Sequence, residues 1–119
     1  VHINQGCFLD ARGGLIFEDN VSVSHYSKFV TGGHDWNDPE FKGIFSPIKV
    51  KEYVWVGIQC VILQGVTLGQ GSVIASCSLV NTDTESYALY AGLPAKKLKN
   101  RNTNQEYHPL EGVNHFRFM

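Results

Sequence analysis

Basic excess, paired cysteines and long apolar runs are all missing from this 119-residue chain. Ten Lys and Arg stand against eleven Asp and Glu, a formal net charge of −1. The surplus of cations that binding to a phosphate backbone requires is therefore lacking, and nucleic acid is not an expected partner. Cys7, Cys60 and Cys77 are odd in number and form no CxxC pair, which speaks against a disulfide framework or a zinc knuckle and for small, reduced core residues. No stretch reaches the roughly 18 consecutive apolar residues of a membrane span, and the opening VHINQGCFLD has neither the basic nor the apolar region of a secretion signal. These absences leave one small, soluble, cytoplasmic domain as the expectation.

What is present is a period of six. From Val50 the chain divides into VKEYVW, VGIQCV, ILQGVT, LGQGSV, IASCSL and VNTDTE. The first column reads Val50, Val56, Ile62, Leu68, Ile74 and Val80, and the fifth reads Val54, Cys60, Val66, Ser72, Ser78 and Thr84. The same frame holds upstream, with Phe17, Val23 and Phe29 in the first column and Val21 and Ser27 in the fifth. INQGCF and LDARGG join it if two residues are inserted near Gly13 and Gly14, a bulge or corner.

An α-helix repeats its apolar stripe every three or four residues, so a period of six excludes it. The pattern suits short parallel strands joined by tight corners, one hexad to a wall and three walls to a triangular coil, each coil burying its aliphatics against its neighbours. About ten hexads make roughly three and a half coils. Glycine in the second column, at Gly57 and Gly69, and polar residues in the third and fourth suit the corners. The period breaks at FVTGGHDWND and resumes at Val50, so residues 32–49 are expected to leave the prism as a loop. Such excursions are where solenoids acquire binding function. Without the repeat, His34 in that loop would read as a solvated histidine.

The order of FLDARGGLIFEDNVSVS, TGGHD, SPIKV, VWVGIQCVILQGVTLGQGSVI and YAGLPAKKLKNR resembles the hexapeptide-repeat acyltransferases, over residues 3 to about 101. It is similar to the galactoside and maltose O-acetyltransferases and, in GGHDWNDPEF, to the acetyltransferases of exopolysaccharide and colanic-acid-type biosynthesis. The resemblance implies an all-β, left-handed parallel β-helix over residues 1–91, with a short basic helix at AKKLKNR and a tail in 92–119. It further implies an acetyl-CoA-dependent O-acetyltransferase that modifies a saccharide hydroxyl, works as a homotrimer with active sites between subunits, and needs no metal. Members commonly carry residues ahead of the first hexads, whereas this chain begins at Val1, inside the repeat.

Carried over residue by residue, the resemblance makes His34 the catalytic base. The chemistry is consistent, because a hydroxyl attacking a thioester needs a group that takes its proton near neutral pH. No Ser or Cys nucleophile with its own partner is evident, which favours direct transfer in a ternary complex. Asn4, Asp10, Asp35 and Trp36 are the expected acceptor-side residues, Asp35 either orienting the histidine or contacting the acceptor. Trp55, Gly57, the amide of Ile58, Ser76, Asn81, Thr82 and Lys96 are the expected coenzyme A contacts. Ala75 and Cys77 depart from the family's commoner glycines, and Asn81-Thr82 from its Thr-Lys pair. His25 is a corner residue, and His108 and His115 lie in the tail. A zinc hydratase on the same prism would need a third histidine beside His25 and His34. Two alternatives remain at this stage, an N-acyltransferase acting on an amine and a non-catalytic structural trimer.

Overall fold

In a computed structural model that describes residues 1–109, the repeat folds as three walls. The first coil is β1 (His2–Ile3), β2 (Phe8–Asp10) and β3 (Leu15–Phe17), and the second opens with β4 (Ser22–Val23) and β5 (Lys28–Val30). The chain then leaves as a hairpin, β6 (Gly32–His34) and β7 (Gly43–Phe45), and returns with β8 (Ile48–Val50). The third coil is β9 (Trp55–Val56), β10 (Val61–Leu63) and β11 (Thr67–Leu68). The fourth is β12 (Val73–Ile74), β13 (Leu79–Val80) and a single parallel bridge from Thr84 to Leu68. Then come β14 (Ala88–Gly92) and β15 (Ala95–Asn100). Hydrogen bonding links β1-β4-β9-β12-β14 as the first wall, β2-β5-β10-β13 as the second and β3-β8-β11 as the third, all parallel.

Register explains the core. Leu9, Phe29, Ile62 and Val80 stand in one ladder on the second wall, and Ile3, Val23, Val56, Ile74 and Tyr90 in one on the first. Every first-column residue from Val50 to Val80 is buried, and so is every fifth-column residue from Val54 to Thr84. Phe17 meets Phe29 edge to face, with ring centroids 5.3 Å apart. The fifth-column hydroxyls carry their own partners inside: Ser27 Oγ donates to the Gly57 carbonyl at 2.6 Å, and Thr84 Oγ1 to Ser72 Oγ at 3.0 Å. Of the cysteines only Cys60 is a core residue: its thiol donates to the Ala75 carbonyl at 3.2 Å and burial pushes its pKa up, away from thiolate chemistry, whereas Cys7 is half-buried and Cys77 is exposed, which corrects the expectation that all three belong to the core.

Three expectations need correction. AKKLKNR is not a helix: Ala95–Asn100 is β15, antiparallel to β14, reached through a tight turn at Leu93-Pro94. Beyond β14 the first wall has a bare edge, and a returning strand satisfies its backbone donors and acceptors while its outward lysines keep the new edge from pairing further. The repeat also runs longer than three and a half coils, because β14 adds a fifth parallel strand to the first wall. Finally, the excursion closes a residue earlier than 49, at Ile48, which is fully buried and pairs with Leu15. His115 and the aromatic residues near the C-terminus lie outside the described residues.

Gly57 shows why the second column is small. A Cβ there would stand 2.8 Å from the Ile74 carbonyl oxygen and from the Ser76 nitrogen, both on the coil above. Cys77 is the converse case, a side chain held at φ +62 on a fourth-column corner where its L configuration is disfavoured. Gly57→Ala is therefore expected to lower unfolding free energy by about 1–3 kcal/mol through overpacking. Cys77→Gly should shift it by less than about 1 kcal/mol, relief of the corner being offset by the freer unfolded chain. Denaturant unfolding of the two variants checks both, and a Gly57→Ala protein as stable as the parent would contradict the packing argument.

Candidate functional site

The hairpin projects from the corner between the second and third walls, and His34 ends its outgoing strand. Gly32 and Gly33 allow that strand to leave. A Cβ on Gly32 would meet the Phe45 ring at 2.6 Å, so the two strands close only around a glycine. Gly32 pairs with Phe45, Gly33 with Ile44 and His34 with Gly43. The connecting turn is built from its own side chains: Asp35 Oδ1 accepts from the Asn37 amide at 3.1 Å and Asp38 Oδ1 from the Glu40 amide at 3.0 Å. The Asp35 amide closes it by donating to the Lys42 carbonyl at 2.8 Å.

This turn delivers Phe41 to His34. The imidazole stacks on the Phe41 ring with centroids 3.9 Å apart and planes 12° from parallel. Its Nδ1 lies 2.9 Å from the Phe41 carbonyl oxygen. A carbonyl only accepts, so Nδ1 carries the proton and the lone pair of a neutral ring resides on Nε2. His34 is exposed, and Nε2 has no hydrogen-bond partner among the described residues. Asp35 does not hold the histidine as expected, since its carboxylate is turned back on its own loop.

Asp10 lies at the same corner one coil below. Its Oδ1 accepts from Arg12 Nε at 2.7 Å and its Oδ2 from Arg12 Nη2 at 2.8 Å. The amides of Arg12 and Thr31 donate to the same carboxylate at 3.2 and 3.3 Å. The Arg12 side chain, above all, holds the Asp10 carboxyl well below the usual carboxylate range, against the opposing effect of burial. Both oxygens are spent within the chain, on Arg12 and on the root of the hairpin, which corrects the expectation of a free acceptor contact.

The other expected residues fall into groups. Asn81 and Thr82 are exposed at the second-to-third corner, above His34, and Trp36 stands 84% exposed at the tip of the hairpin. Asn4, Gly57, Ile58 and Ser76 lie instead at the corner between the first and second walls. Asn4 Nδ2 donates to the Val23 carbonyl at 3.0 Å. The Ile58 amide, expected to be open to a cofactor, donates to Ser76 Oγ at 3.0 Å. Trp55 lies on the first wall beside that corner, its Nε1 donating to Ser24 Oγ at 3.1 Å. With Ser22, Arg101, Tyr107 and Pro109 it lines a cleft of about 270 Å³. Arg101 straps the segment after β15 to the prism by donating to the carbonyls of Tyr53 and Gly71 at 2.9 and 3.2 Å. Lys96 is exposed on β15, opposite Ala91. One chain thus carries two groups on different corners of the prism, with the second wall between them.

Phe41, Arg12 and Phe45 were not singled out by sequence. The signal for Phe41 and Phe45 was the hairpin itself, which the expectation of an irregular loop hid; Arg12 stands two residues beyond Asp10, next to the expected bulge.

Residues 47–82 match the family described as "Bacterial transferase hexapeptide (six repeats)". A chloramphenicol acetyltransferase of Klebsiella aerogenes is 47% identical over 44% of this chain and 25% of its own length. One from Morganella morganii is 29% identical over 77% of this chain and 54% of its own. Among solved structures, a hexapeptide-repeat acetyltransferase of Vibrio cholerae in complex with acetyl coenzyme A is 31% identical, with a TM-score of 0.80 over 84% of this chain and 56% of that one. The AntD N-acyltransferase of Bacillus cereus, at 20% identity and a TM-score of 0.75, shares the fold. The prism is the left-handed parallel β-helix of this architecture. The chain spans between a quarter and somewhat over half the length of these relatives.

The Asp10 carboxyl titrates lower folded than unfolded, so its pairing adds stability that is complete above the unfolded value near 4 and is lost as pH falls through the depressed folded value. Asp10→Asn should therefore melt below the parent at pH 7, and the gap should narrow below about pH 4. A melting-temperature series from neutral to strongly acid pH checks the sign; a gap that widens in acid would contradict it.

Proposed function

From the match of residues 47–82 to the hexapeptide-repeat transferases and the likeness to the acetyltransferases above, we propose that the chain transfers acetyl from acetyl coenzyme A to an acceptor hydroxyl on a saccharide, with His34 as general base. The observation that carries this reading is the bond from His34 Nδ1 to the Phe41 carbonyl. It leaves the lone pair on Nε2, on a ring whose plane the Phe41 stack holds. A proton acceptor whose tautomer is fixed beforehand is what attack by a weakly acidic hydroxyl needs.

The cosubstrate supplies the acyl group as a thioester. His34 Nε2 takes the hydroxyl proton as the acceptor oxygen bonds to the acyl carbon. The imidazolium then returns that proton to the sulfur as the C–S bond breaks, leaving an ester, a free thiol and a neutral histidine. Phe41 is a positioning residue in this scheme. Trp55, Gly57 and Ser76 at the first-to-second corner, with Lys96 beyond them, are the groups we assign to the coenzyme, together with Asn81 and Thr82. Ile58 contributes its exposed side chain, its amide being already spent on Ser76.

A homotrimer fits the separation of the two groups. A neighbouring copy would set its first-to-second corner against the hairpin corner of this one and complete a site that a single chain leaves divided. Acylation of an amine is the second reading, supported by the fold shared with AntD and by 36% identity, over 51% of this chain, to a tetrahydropyridine-dicarboxylate N-acetyltransferase of Staphylococcus aureus.

His34→Ala should lower turnover by about 10²–10⁴-fold while acetyl coenzyme A binding, read by calorimetry, persists. Near-normal turnover in that variant would remove the base assignment. Absence of heat with the parent protein at millimolar ligand would favour a structural trimer over an enzyme.

A further inference from the structure

One face of the hairpin carries more than the base. Residues directly opposite in an antiparallel pair share a face, as do alternate residues of a strand, so Gly32, Phe45, His34 and Gly43 all face the same way. The Phe45 ring lies along this face, filling the space that side chains on Gly32 and Gly43 would need. The Arg12 guanidinium sits over that ring, 5.2 Å from its centroid. Along one surface therefore stand a guanidinium, an aromatic ring, the His34 imidazole and the Phe41 ring.

Arg12 is built in, although most of its side chain is exposed. Asp10 grips the Nε and Nη2 side of the fork with bonds of 2.7 and 2.8 Å, and Phe45 supports its flat surface. Its Nη1 has no partner among the described residues, so the outer Nη1–Nη2 edge presents parallel N–H groups to solvent. That edge matches the paired oxygens of a carboxylate or phosphate. Asp10 orients the fork and prepays the entropy of holding a long side chain in one place. From Gly32, beside Arg12, to His34 is two strand residues, or about 7 Å, close to the span of one sugar ring.

We propose that Arg12 recognises an oxyanion group, carboxylate or phosphate, on the acceptor, and that Asp10 and Phe45 position it for that purpose. This rests on the acetyltransferase reading above and adds the acceptor's charge to it. Asp10 then acts at the acceptor end through Arg12.

The test is a panel of acceptors offered to the full chain with acetyl coenzyme A, comprising a neutral hexose glycoside, the matching uronate and the matching sugar phosphate. The parent protein should show kcat/KM at least tenfold higher for one or both charged acceptors than for the neutral one, mainly through a lower KM. Which charged acceptor leads identifies the source of the oxyanion. Arg12→Gln should erase most of that preference, costing the charged acceptors at least tenfold more than the neutral one, and Arg12→Lys should restore part of it. Unchanged acetyl coenzyme A binding by calorimetry shows that the variants remain folded. Equal kcat/KM for neutral and charged acceptors in the parent, or a preference that survives in Arg12→Gln, overturns the inference and leaves the acetyltransferase reading standing. A parent protein that acetylates no member of the panel overturns both.

Discussion

The stacking of one aliphatic side chain per hexad on the one below is the interaction from which everything else in this molecule follows. A strand of two or three residues has too few hydrogen bonds and too little apolar area to persist alone. Its first-column residue becomes buried only when the same column is occupied in the next coil, as Phe29, Ile62 and Val80 are along the second wall. Because the requirement repeats every six residues, so do the corners, and with them a small second-column residue that lets one coil approach the next.

The same constraint makes the walls poor places for a site. Every second side chain faces outward from a flat surface, and the inward ones are committed to the core. Chemistry has to be added at corners or on an excursion. Here the excursion brings an imidazole, a carbonyl and an aromatic ring into contact across the hairpin turn, and the corner beneath it supplies an ion pair at the hairpin's root. The prism contributes rigidity, and the hairpin converts it into placement.

Much of this was legible in advance for a physical reason. Burial in a solenoid is a nearest-neighbour property, so the residues that pack together share a column of the sequence; Val50 to Val80 and Val54 to Thr84 could be assigned without coordinates. The chain's departure at Gly32–His34 was legible because it interrupts that order. The strand β15 was not, since a lysine-rich stretch takes its structure from whatever edge it meets, and here it met the open edge of β14. Nor was the partner of Asp10, which depends on how a bulged corner turns Arg12 back toward it.

The sequence by itself determined the wall, the coil and the point at which the chain departs from them, because these depend on periodic burial that any local window reveals. The tertiary structure decided which atoms of the departing segment touch. The tautomer of His34 rests on a carbonyl seven residues away, and the pose of Arg12 on a carboxylate and a ring from separate strands. Such contacts have no period, since they are set by how a turn closes in three dimensions and not by what the next coil must bury.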